Sequence, residues 1–265
     1  MTTLADALAS LVPSGVGGES GWRGVVPDNW LQGRTAYGGF SAALALHVAK
    51  ASDPGLPPLR SAQIAFIGPL AGEVTVMARR LRRGRNAAFV QADVTSDAGL
   101  GLRATFVFMA PLESEISHGV GVAPDVTAPD PDAPSVRAPP GVVFAQNFSF
   151  VERRDPAADR MANGATWLRW GRLRERDGLD PEVELIAVAD GLPPAALRLA
   201  GRPAPVSSMT WQLNLIGPPV TSDGWWLLRA TSDHARAGFS SQAMTIWNAS
   251  GEPVAEQTQG VAIFV

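Results

Sequence analysis

The sequence predicts an α+β protein in which two antiparallel sheets each wrap round a central helix. Three observations lead to this prediction. The tripeptide Ile-Gly-Pro occurs at Ile67 and again at Ile216, 149 residues later. Each copy ends a strand-like segment that comes after an apolar helical segment, and further strand-like segments follow it. A long stretch rich in Pro, Gly and Ala separates the two series. This order indicates one folding unit written twice in the chain.

The stretch between the two units has the composition of a linker. It runs over residues 117–141, "SHGVGVAPDVTAPDPDAPSVRAPPG", and shows neither a helical nor a strand period. We therefore expect an N-terminal half over residues 1–116, a linker over 117–140 and a C-terminal half over 141–265. A chain of 265 residues is long enough for two small domains of this kind.

The first unit begins with a helix that is apolar almost all round. This segment, "GGFSAALALHVAKA" (38–51), carries Ala and Leu on most faces, which favours burial of the whole helix. The alternation of apolar and polar residues after the next Pro-rich turn predicts four strands. They are "SAQIAFIGPL" (61–70), "GEVTVMARRLRRGR" (72–85), "NAAFVQADVTSD" (86–97) and "LGLRATFVFMA" (100–110).

The second unit repeats this order of elements. Asp180 is a good N-cap, and Pro181 suits the first helical position. We expect a helix over "PEVELIAVADGLPPAALRLA" that ends near Gly201 and loosens at Asp190, because Pro193 has no N–H to donate. Four strands are predicted after it: "SSMTWQLNLIG" (207–217), "GWWLLRATSD" (224–233), "ARAGFSSQAMTIWNASG" (235–251) and "EPVAEQTQGVAIFV" (252–265).

Matches between the two units stay in phase beyond the tripeptide. Phe89 in "RNAAF" matches Phe239 in "ARAGF" at an offset of 150, and Gly99 in "SDAG" matches Gly251 in "NASG" at an offset of 152. One short match is weak evidence, but several matches in the same order with slowly drifting offsets indicate a true internal repeat.

A buried helix followed by four or five antiparallel strands is the hotdog arrangement, and two copies make a double hotdog. Five segments also resemble one family in sequence. They are "AYGGFSAALA", "FIGPLAGEVTVMARRLRRGR", "VADGLPPAAL", "SSMTWQLNLIGPP" and "SGEPVAEQTQG". In this order they are similar to the acyl-CoA thioesterase II family of double-hotdog proteins. The resemblance covers nearly the whole chain except the linker and the first 20 residues.

Composition excludes several other classes of protein. A net charge of −3 argues against a nucleic-acid partner, and the absence of cysteine excludes thiolate nucleophiles and Cys-ligated metals. The three histidines, His47, His118 and His234, lie in different segments, so we expect no metal and no cofactor. There is no G-x-S-x-G serine-hydrolase motif. No segment is long and apolar enough for a membrane span, and the N-terminus lacks a basic signal-peptide region, so we expect a soluble cytoplasmic protein.

The resemblance implies hydrolysis of a fatty acyl-CoA by an activated water. The family's catalytic Asp, Thr or Ser, and Gln correspond here to Asp190, Ser208 and Gln259. Each has an alternative role: Asp190 as a helix-ending cap, Gln259 as a tie between strands, and Ser208 as part of a solvated face with Thr210, Gln212 and Asn214. Strand alternation places Gln259 on the apolar face with Val261 and Ile263 if no bulge intervenes.

Gly38 and Gly39 are the candidates for oxyanion and substrate binding. They precede the first apolar helix, whose N-terminal N–H groups favour negative charge. The alternative is that the two glycines only allow tight packing of the helix entry. A site made of Gly38, Gly39 and the polar trio would use both halves. The first helix carries no Asp in "SAALALHVAK", so we expect a single active site.

Two further features leave alternatives open. The segment "ARRLRRGR" (78–85) either holds the phosphates of coenzyme A or is a solvated hairpin. Trp211, Trp225, Trp226 and Trp247 fill either the core or an acyl tunnel. Two other functions also remain open, a non-catalytic acyl or acyl-CoA binding protein and an enoyl-CoA hydratase-type hotdog enzyme. From the resemblance and the apolar fraction of 46% we expect a homo-oligomer, most simply a dimer.

Overall fold

The strands of both units join into one antiparallel sheet. The computed structural model describes residues 1–14, 20–130, 132–156, 158, 164–202 and 204–264. Within these residues twelve strands make the sheet, and β3 and β4 form a separate ribbon. In chain order they are β1 (Val12–Pro13), β2 (Ser20–Val25), β3 (Leu31–Gln32), β4 (Thr35–Ala36), β5 (Leu59–Phe66), β6 (Glu73–Arg83), β7 (Ala87–Ser96), β8 (Gly99–Met109), β9 (Phe148–Arg153), β10 (Thr166–Leu173), β11 (Val206–Leu215), β12 (Trp226–Arg236), β13 (Phe239–Asn248) and β14 (Pro253–Ile263).

The order of strands is the same in both halves when it is followed outward from the centre. The first half runs β5-β8-β7-β6-β2-β1, and the second half runs β11-β14-β13-β12-β10-β9. Strands β5 and β11 pair with each other, so the two predicted sheets are joined side by side into one. Gln63 lies directly opposite Gln212 in this pair, again at an offset of 149. The halves are therefore related by a pseudo-two-fold axis that passes near these two residues.

The repeated tripeptide has the same role in both halves. Ile67 and Ile216 follow β5 and β11, and their side chains are 54% and 50% exposed. In each half the N–H groups of the Ile and Gly both donate to one carbonyl, that of Gly101 in β8 or of Val254 in β14. The strand registers skip each of these acceptor residues, which identifies it as a β-bulge. The echo in the sequence is thus a repeated bulge and turn.

Among the described elements, helix α1 spans Leu4–Ala9, α2 spans Gly38–Ser52 and α3 spans Pro181–Ala189, and 3-10 turns span Asp28–Trp30, Val143–Asn147 and Ala195–Leu199. Helix α2 is buried from Gly39 to Ala49 except at His47, which is half-buried. Helices α2 and α3 pack together in the core and run antiparallel. The start of α2 meets the end of α3 through Tyr37, whose hydroxyl donates to the carbonyl of Ala187 at 2.9 Å.

Helix α3 is shorter than the sequence predicts. It begins with the expected cap, because the Asp180 side chain accepts from the N–H groups of Glu182 and Val183. The helix ends at Ala189, not near Gly201, and Asp190 is its C-cap. The break falls where Pro193 removes a helical hydrogen bond, and only a 3-10 turn over Ala195–Leu199 follows. The expected loosening is therefore a complete end of the helix.

Residues 110–142 contain no helix or strand in their described part, but they are not a bare connection. Ala123, Val126, Ala128 and Ala133 pack against a separate apolar cluster of the second half that includes Trp170, Trp225 and Trp247. The segment also bonds to strand β9, because the N–H of Val136 donates to the carbonyl of Phe150 at 2.8 Å. The predicted linker thus covers part of the second half.

Candidate active site

The candidate site lies where the end of α3 meets the start of α2. Asp190, the C-cap of α3, places its carboxylate against the first turn of α2, so residues from both halves surround it. The first-turn N–H groups of α2 favour a negative charge there, whereas the carbonyl end of α3 disfavours one. The carboxylate therefore depends on specific donors from its neighbours.

Two donors reach the Asp190 carboxylate. Gln259 of β14 donates from Nε2 to Asp190 Oδ1 at 2.8 Å, and the backbone N–H of Gly39 forms the second hydrogen bond. The predicted alternation of β14 is confirmed, because Gln259, Val261 and Ile263 are all buried on the inner face. The sequence-predicted residues Asp190, Gln259 and Gly39 are therefore in direct contact.

A second buried glutamine extends this contact. Gln242 of β13 lies directly opposite Gln259 in the sheet and donates from Nε2 to Gln259 Oε1 at 2.7 Å. Its own Oε1 accepts the backbone N–H of Ala195 at 2.8 Å. A hydrogen-bonded chain thus runs from Ala195 through Gln242 and Gln259 to Asp190. Sequence reasoning missed Gln242, although it alternates with the buried Met244 and Ile246, the same pattern that places Gln259 on the apolar face of β14.

Gly38 and Gly39 are required by close approach of the two halves. A Cβ atom on Gly38 would lie 2.5 Å from Asp190 Oδ2 and 3.0 Å from the Phe66 ring. A Cβ atom on Gly39 would lie 2.6 Å from the carbonyl oxygen of Ala187. Position 38 therefore leaves room for the carboxylate, and position 39 allows α2 to pack against α3. The packing role anticipated for these glycines is present, and it brings the N–H of Gly39 to the Asp190 carboxylate.

An apolar wall stands beside the carboxylate. Phe66 at the end of β5 and Trp211 in β11 stack with ring centroids 6.5 Å apart and an interplanar angle of 11°. Trp211 is buried, and Phe66 keeps part of its surface exposed. Because Phe66 belongs to the first half and Trp211 to the second, this wall also depends on the pairing of the halves.

Burial raises the pKa of Asp190 from 3.8 to about 7. The hydrogen bonds from Gln259 and Gly39 act in the opposite direction, since they favour the ionised form. Tyr37, which packs beside it, has its pKa raised well above the usual value, first by burial and then by the Asp190 charge. Asp190 is therefore the group near this junction that changes charge around neutral pH, while Tyr37 stays neutral.

Ser208 lies on the same side of the sheet as Gln259, which corrects the predicted face. A bulge at Met209 interrupts the alternation, because Ser208 pairs with Val261 whereas Thr210 pairs with Gly260. Ser208 therefore shares the inner face with Trp211 and not the outer face with Thr210. As a diagonal neighbour of Gln259 it is about 7 Å away. Among the described contacts its hydroxyl makes no hydrogen bond to Asp190 or Gln259.

The pseudo-equivalent end of the helix pair has a different chemistry. There the end of α2 meets the start of α3, and Lys50 forms ion pairs with Asp180 and Glu182. Glu182 Oε1 also accepts the N–H of Leu59 at 2.8 Å. Burial alone would lower the pKa of Lys50, but the two carboxylates outweigh it and hold the pKa above its usual value. This end is therefore filled by an ion-paired network.

The sheet differs between the two ends in the same way. The matching bulges at Gly101 and Val254 make Phe106 the counterpart of Gln259, and the pair Val90–Phe106 the counterpart of Gln242–Gln259. Val90 and Phe106 are fully buried apolar residues. The amides that bond to Asp190 thus have no counterpart in the first half.

The other candidate residues lie away from Asp190. His118 and His234 are exposed, and His47 lies in the third turn of α2. In the arginine-rich segment, Arg80 and Arg83 form ion pairs with Asp53 just after α2, at the opposite end of that helix from the site. Within the described residues no group of three or more His, Asp and Glu side chains forms a metal-like cluster, and no helix is long and apolar enough to cross a membrane.

Solved structures share the whole fold. A hotdog-fold protein from Alicyclobacillus acidocaldarius matches with a TM-score of 0.84 and 24% identity, over 100% of this chain and 99% of that one. The tesB protein of Mycobacterium avium subspecies paratuberculosis matches at 0.77 and 19%, over 98% and 99%. Acyl-CoA thioesterase II TesB2 of Mycobacterium marinum matches at 0.75 and 19%, over 98% and 97%. The double-hotdog prediction is confirmed.

Family models match the sequence itself. The acyl-CoA thioesterase N-terminal domain matches residues 26–109, and the acyl-CoA thioesterase C-terminal domain matches residues 124–263. The second match begins inside the predicted linker, in the part that packs against the second half. No curated protein matches the sequence. The two domain matches occur in the order that the internal repeat requires, and the chain belongs to the acyl-CoA thioesterase family.

Proposed function

We propose that this protein hydrolyses a fatty acyl-CoA to the free acid and coenzyme A, with Asp190 as the general base. One observation carries the proposal. Asp190 is a carboxylate whose pKa of about 7 suits proton transfer at neutral pH, and it lies at a junction of the two halves beside an apolar wall. A general base works best when its pKa lies near the working pH. The family supplies the reaction class, and this carboxylate supplies the chemistry.

The reaction needs one water and no covalent intermediate. The Asp190 carboxylate takes a proton from water as the water oxygen bonds to the thioester carbonyl carbon. The carbonyl oxygen becomes an oxyanion in this tetrahedral state. When the oxyanion reforms the carbonyl, the carbon–sulfur bond breaks, and the proton on Asp190 passes to the leaving sulfur. Asp190 is then ionised again, and the products are the acid and the free thiol.

The start of α2 is the proposed oxyanion site. The first N–H groups of a helix have no acceptor within the helix, and they lie at its positive end. The N–H of Gly39 is already bonded to Asp190, so we assign the oxyanion to the N–H of Gly38. The absence of a side chain at Gly38 leaves room beside Asp190 Oδ2. Such fixed donors typically contribute about 10²–10³ in kcat.

Gln259 and Ser208 are assigned to the water. Gln259 holds Asp190 Oδ1 at 2.8 Å, and we assign the water to Asp190 Oδ2, beside Gly38. Ser208 lies on the same inner face, and its hydroxyl is the proposed second contact of the water. A hydroxyl both donates and accepts, so it can orient a water without taking a fixed charge.

A hydratase-type reaction fits these residues less well. Hotdog hydration chemistry uses a histidine together with a carboxylate, and His47 is the one histidine on the buried helices. It lies nine residues along α2 from Gly38, a rise of about 13 Å, at the ion-paired end of the helix. A hydratase-type reaction at Asp190 would therefore need a second catalytic group that is not a histidine.

The test is release of free thiol from acyl-CoAs of increasing chain length. We expect turnover by the wild type and a loss of about 10²–10⁴ in kcat for Asp190→Asn, with a much smaller change in KM. Asp53→Asn is the matched control, because Asp53 is a buried carboxylate near the end of the other helix, where it pairs with Arg80 and Arg83. It should lower stability and leave kcat in place.

Two outcomes would contradict the proposal. Saturable binding of acyl-CoA by a folded wild type without thiol release would support a non-catalytic binding protein. Near-normal kcat in a folded Asp190→Asn variant would show that another group activates the water. The pH dependence gives an independent check, since kcat/KM should rise about tenfold between pH 6 and pH 8 for a base with a pKa of about 7.

A further inference from the structure

We propose that Gln242 is a positioning residue that fixes the orientation of the Gln259 amide and thereby holds Asp190 as a hydrogen-bond acceptor in its ionised form. This inference deepens the proposed function, on which its catalytic part rests. It is carried by the hydrogen-bonded chain from Ala195 to Asp190, in which each step is between 2.7 and 2.8 Å.

The direction of this chain is set at its backbone end. An amide side chain can turn by 180° and exchange its oxygen and nitrogen with little change of shape. The N–H of Ala195 can only donate, so Gln242 must present its oxygen to Ala195 and its NH2 group to Gln259. Gln259 must then accept through its oxygen, which leaves its NH2 group facing Asp190. The N–H of Ala195 therefore determines that Asp190 faces the NH2 group of Gln259 and not its oxygen.

The direction of these hydrogen bonds affects Asp190 because the two glutamines are buried. Gln242 and Gln259 are 2% and 4% exposed, so water cannot replace a missing partner. If Gln242 were absent, Gln259 could turn its oxygen towards Asp190, and two acceptors would face each other. That arrangement disfavours the ionised carboxylate and raises its pKa. Gln242 thus acts on Asp190 through Gln259 without contacting a substrate.

The other groups around Asp190 do not titrate in the relevant range. From the start of α2 it faces Tyr37, which burial and the Asp190 charge keep neutral. Strands β13 and β14 present the two amides, and β5 presents Phe66. Within the described residues, a change in the pKa of Asp190 on substitution of Gln242 would therefore report the orientation of Gln259.

The chain also links the loop after α3 to the sheet. Ala195 begins the 3-10 turn that follows Asp190, so its bond to Gln242 ties the segment carrying Asp190 to β13. The counterpart of Gln242 in the first half is Val90, which is buried and apolar. Within the part of the chain that the structure describes, this hydrogen-bonded chain thus occurs at the end of the helix pair that carries the carboxylate and not at the other end.

The experiment compares Gln242→Met with Gln257→Met. Gln257 is a matched control: it is buried on the same face of β14, and its oxygen accepts from Trp211 Nε1 at 2.7 Å without contacting Asp190. The pKa of Asp190 is read by ¹³C NMR of labelled aspartate, and the acid limb of kcat/KM is read by thiol release. We expect both to move upward by about 1 pH unit in Gln242→Met and to stay in place in Gln257→Met.

The outcomes separate this inference from the proposed function. An Asp190 pKa and an acid limb in Gln242→Met equal to those of the wild type would overturn the positioning role while leaving thioester hydrolysis intact. A shifted Asp190 pKa in a protein that releases no thiol would support the positioning role and refute the function. If Gln242→Met does not fold, Gln242→Leu serves instead. It also removes the donor to Gln259 and adds no charge, so it should raise the pKa of Asp190 by a similar amount.

Discussion

Replacing Asp190 by Asn should make the protein more stable above neutral pH while removing its proposed activity. The reason is the raised pKa of this carboxyl, which shows that the folded protein binds its proton more tightly than the unfolded chain does. A carboxyl of this kind contributes most favourably at low pH, and its contribution falls as pH rises from the unfolded value of 3.8 towards about 7. Asn carries no charge, so the variant escapes this loss.

The magnitude follows from the two pKa values. A shift from 3.8 to about 7 is about three units, and each unit corresponds to about 1.4 kcal/mol. Relative to low pH, Asp190 therefore lowers the free energy of unfolding by at most about 4 kcal/mol above pH 8 and by about 1.5 kcal/mol at pH 5. The stability of Asp190→Asn relative to the wild type should thus increase by at most about 2.5 kcal/mol between pH 5 and pH 8.

The assay is urea unfolding of both proteins at pH 5, 6, 7 and 8, with the free energy of unfolding extrapolated to water. Comparison across pH cancels the pH-independent loss of any hydrogen bond that Asn cannot make. A difference between the two proteins that does not grow between pH 5 and pH 8 would refute the reasoning. It would mean that Asp190 is hydrated well enough to keep an ordinary pKa.

Three further predictions concern other parts of the molecule. Gly39→Ala should lower the melting temperature by several degrees, because its Cβ would lie 2.6 Å from the Ala187 carbonyl oxygen; Gly84→Ala, with 3.5 Å of clearance, should not. In thiol-release kinetics, Ser208→Ala and Gln259→Ala should each reduce kcat less than Asp190→Asn and should not add to it, whereas additive losses would show separate roles. Light scattering should give a mass well above 27.8 kDa, and a concentration-independent monomer would exclude the expected dimer.

The periodic features of the fold were predictable from the sequence. Local patterns predicted the repeated tripeptide, the apolar helix at 38–51 and the strands that follow the helix within each unit. Each of these occurs in the structure. The outer strands β1, β2, β9 and β10 and the short strands β3 and β4 were not predicted. Strands β2 and β10 contain Gly together with Trp and Arg, and β9 follows the linker, so no clear alternation marks them and their pairing is set by neighbours distant in the sequence.

The candidate site was less predictable because it depends on contacts between the halves. Asp190 and Gln259 came from family resemblance, whereas their bond across 69 residues is visible only in the fold. The face of Ser208 was wrong, because alternation assumes an unbroken ladder and a bulge at Met209 shifts it by one residue. Gln242 was overlooked because its alternation with Met244 and Ile246 is common to any buried strand residue, and it lies outside the five segments that carry the resemblance.

Because the two halves belong to one covalent chain, a residue that destabilises one junction between them need not occur at the other junction. In a symmetric dimer of half-length chains, each substitution would appear twice, so a destabilising buried carboxylate at one junction would be repeated at the other. Here the junctions differ: one holds Asp190, and the other holds the Lys50 ion pairs with Asp180 and Glu182. Each residue of a single chain occurs at one junction. The destabilising buried carboxylate is therefore present once, and the residues of the opposite junction can differ from it and stabilise the contact between the helices.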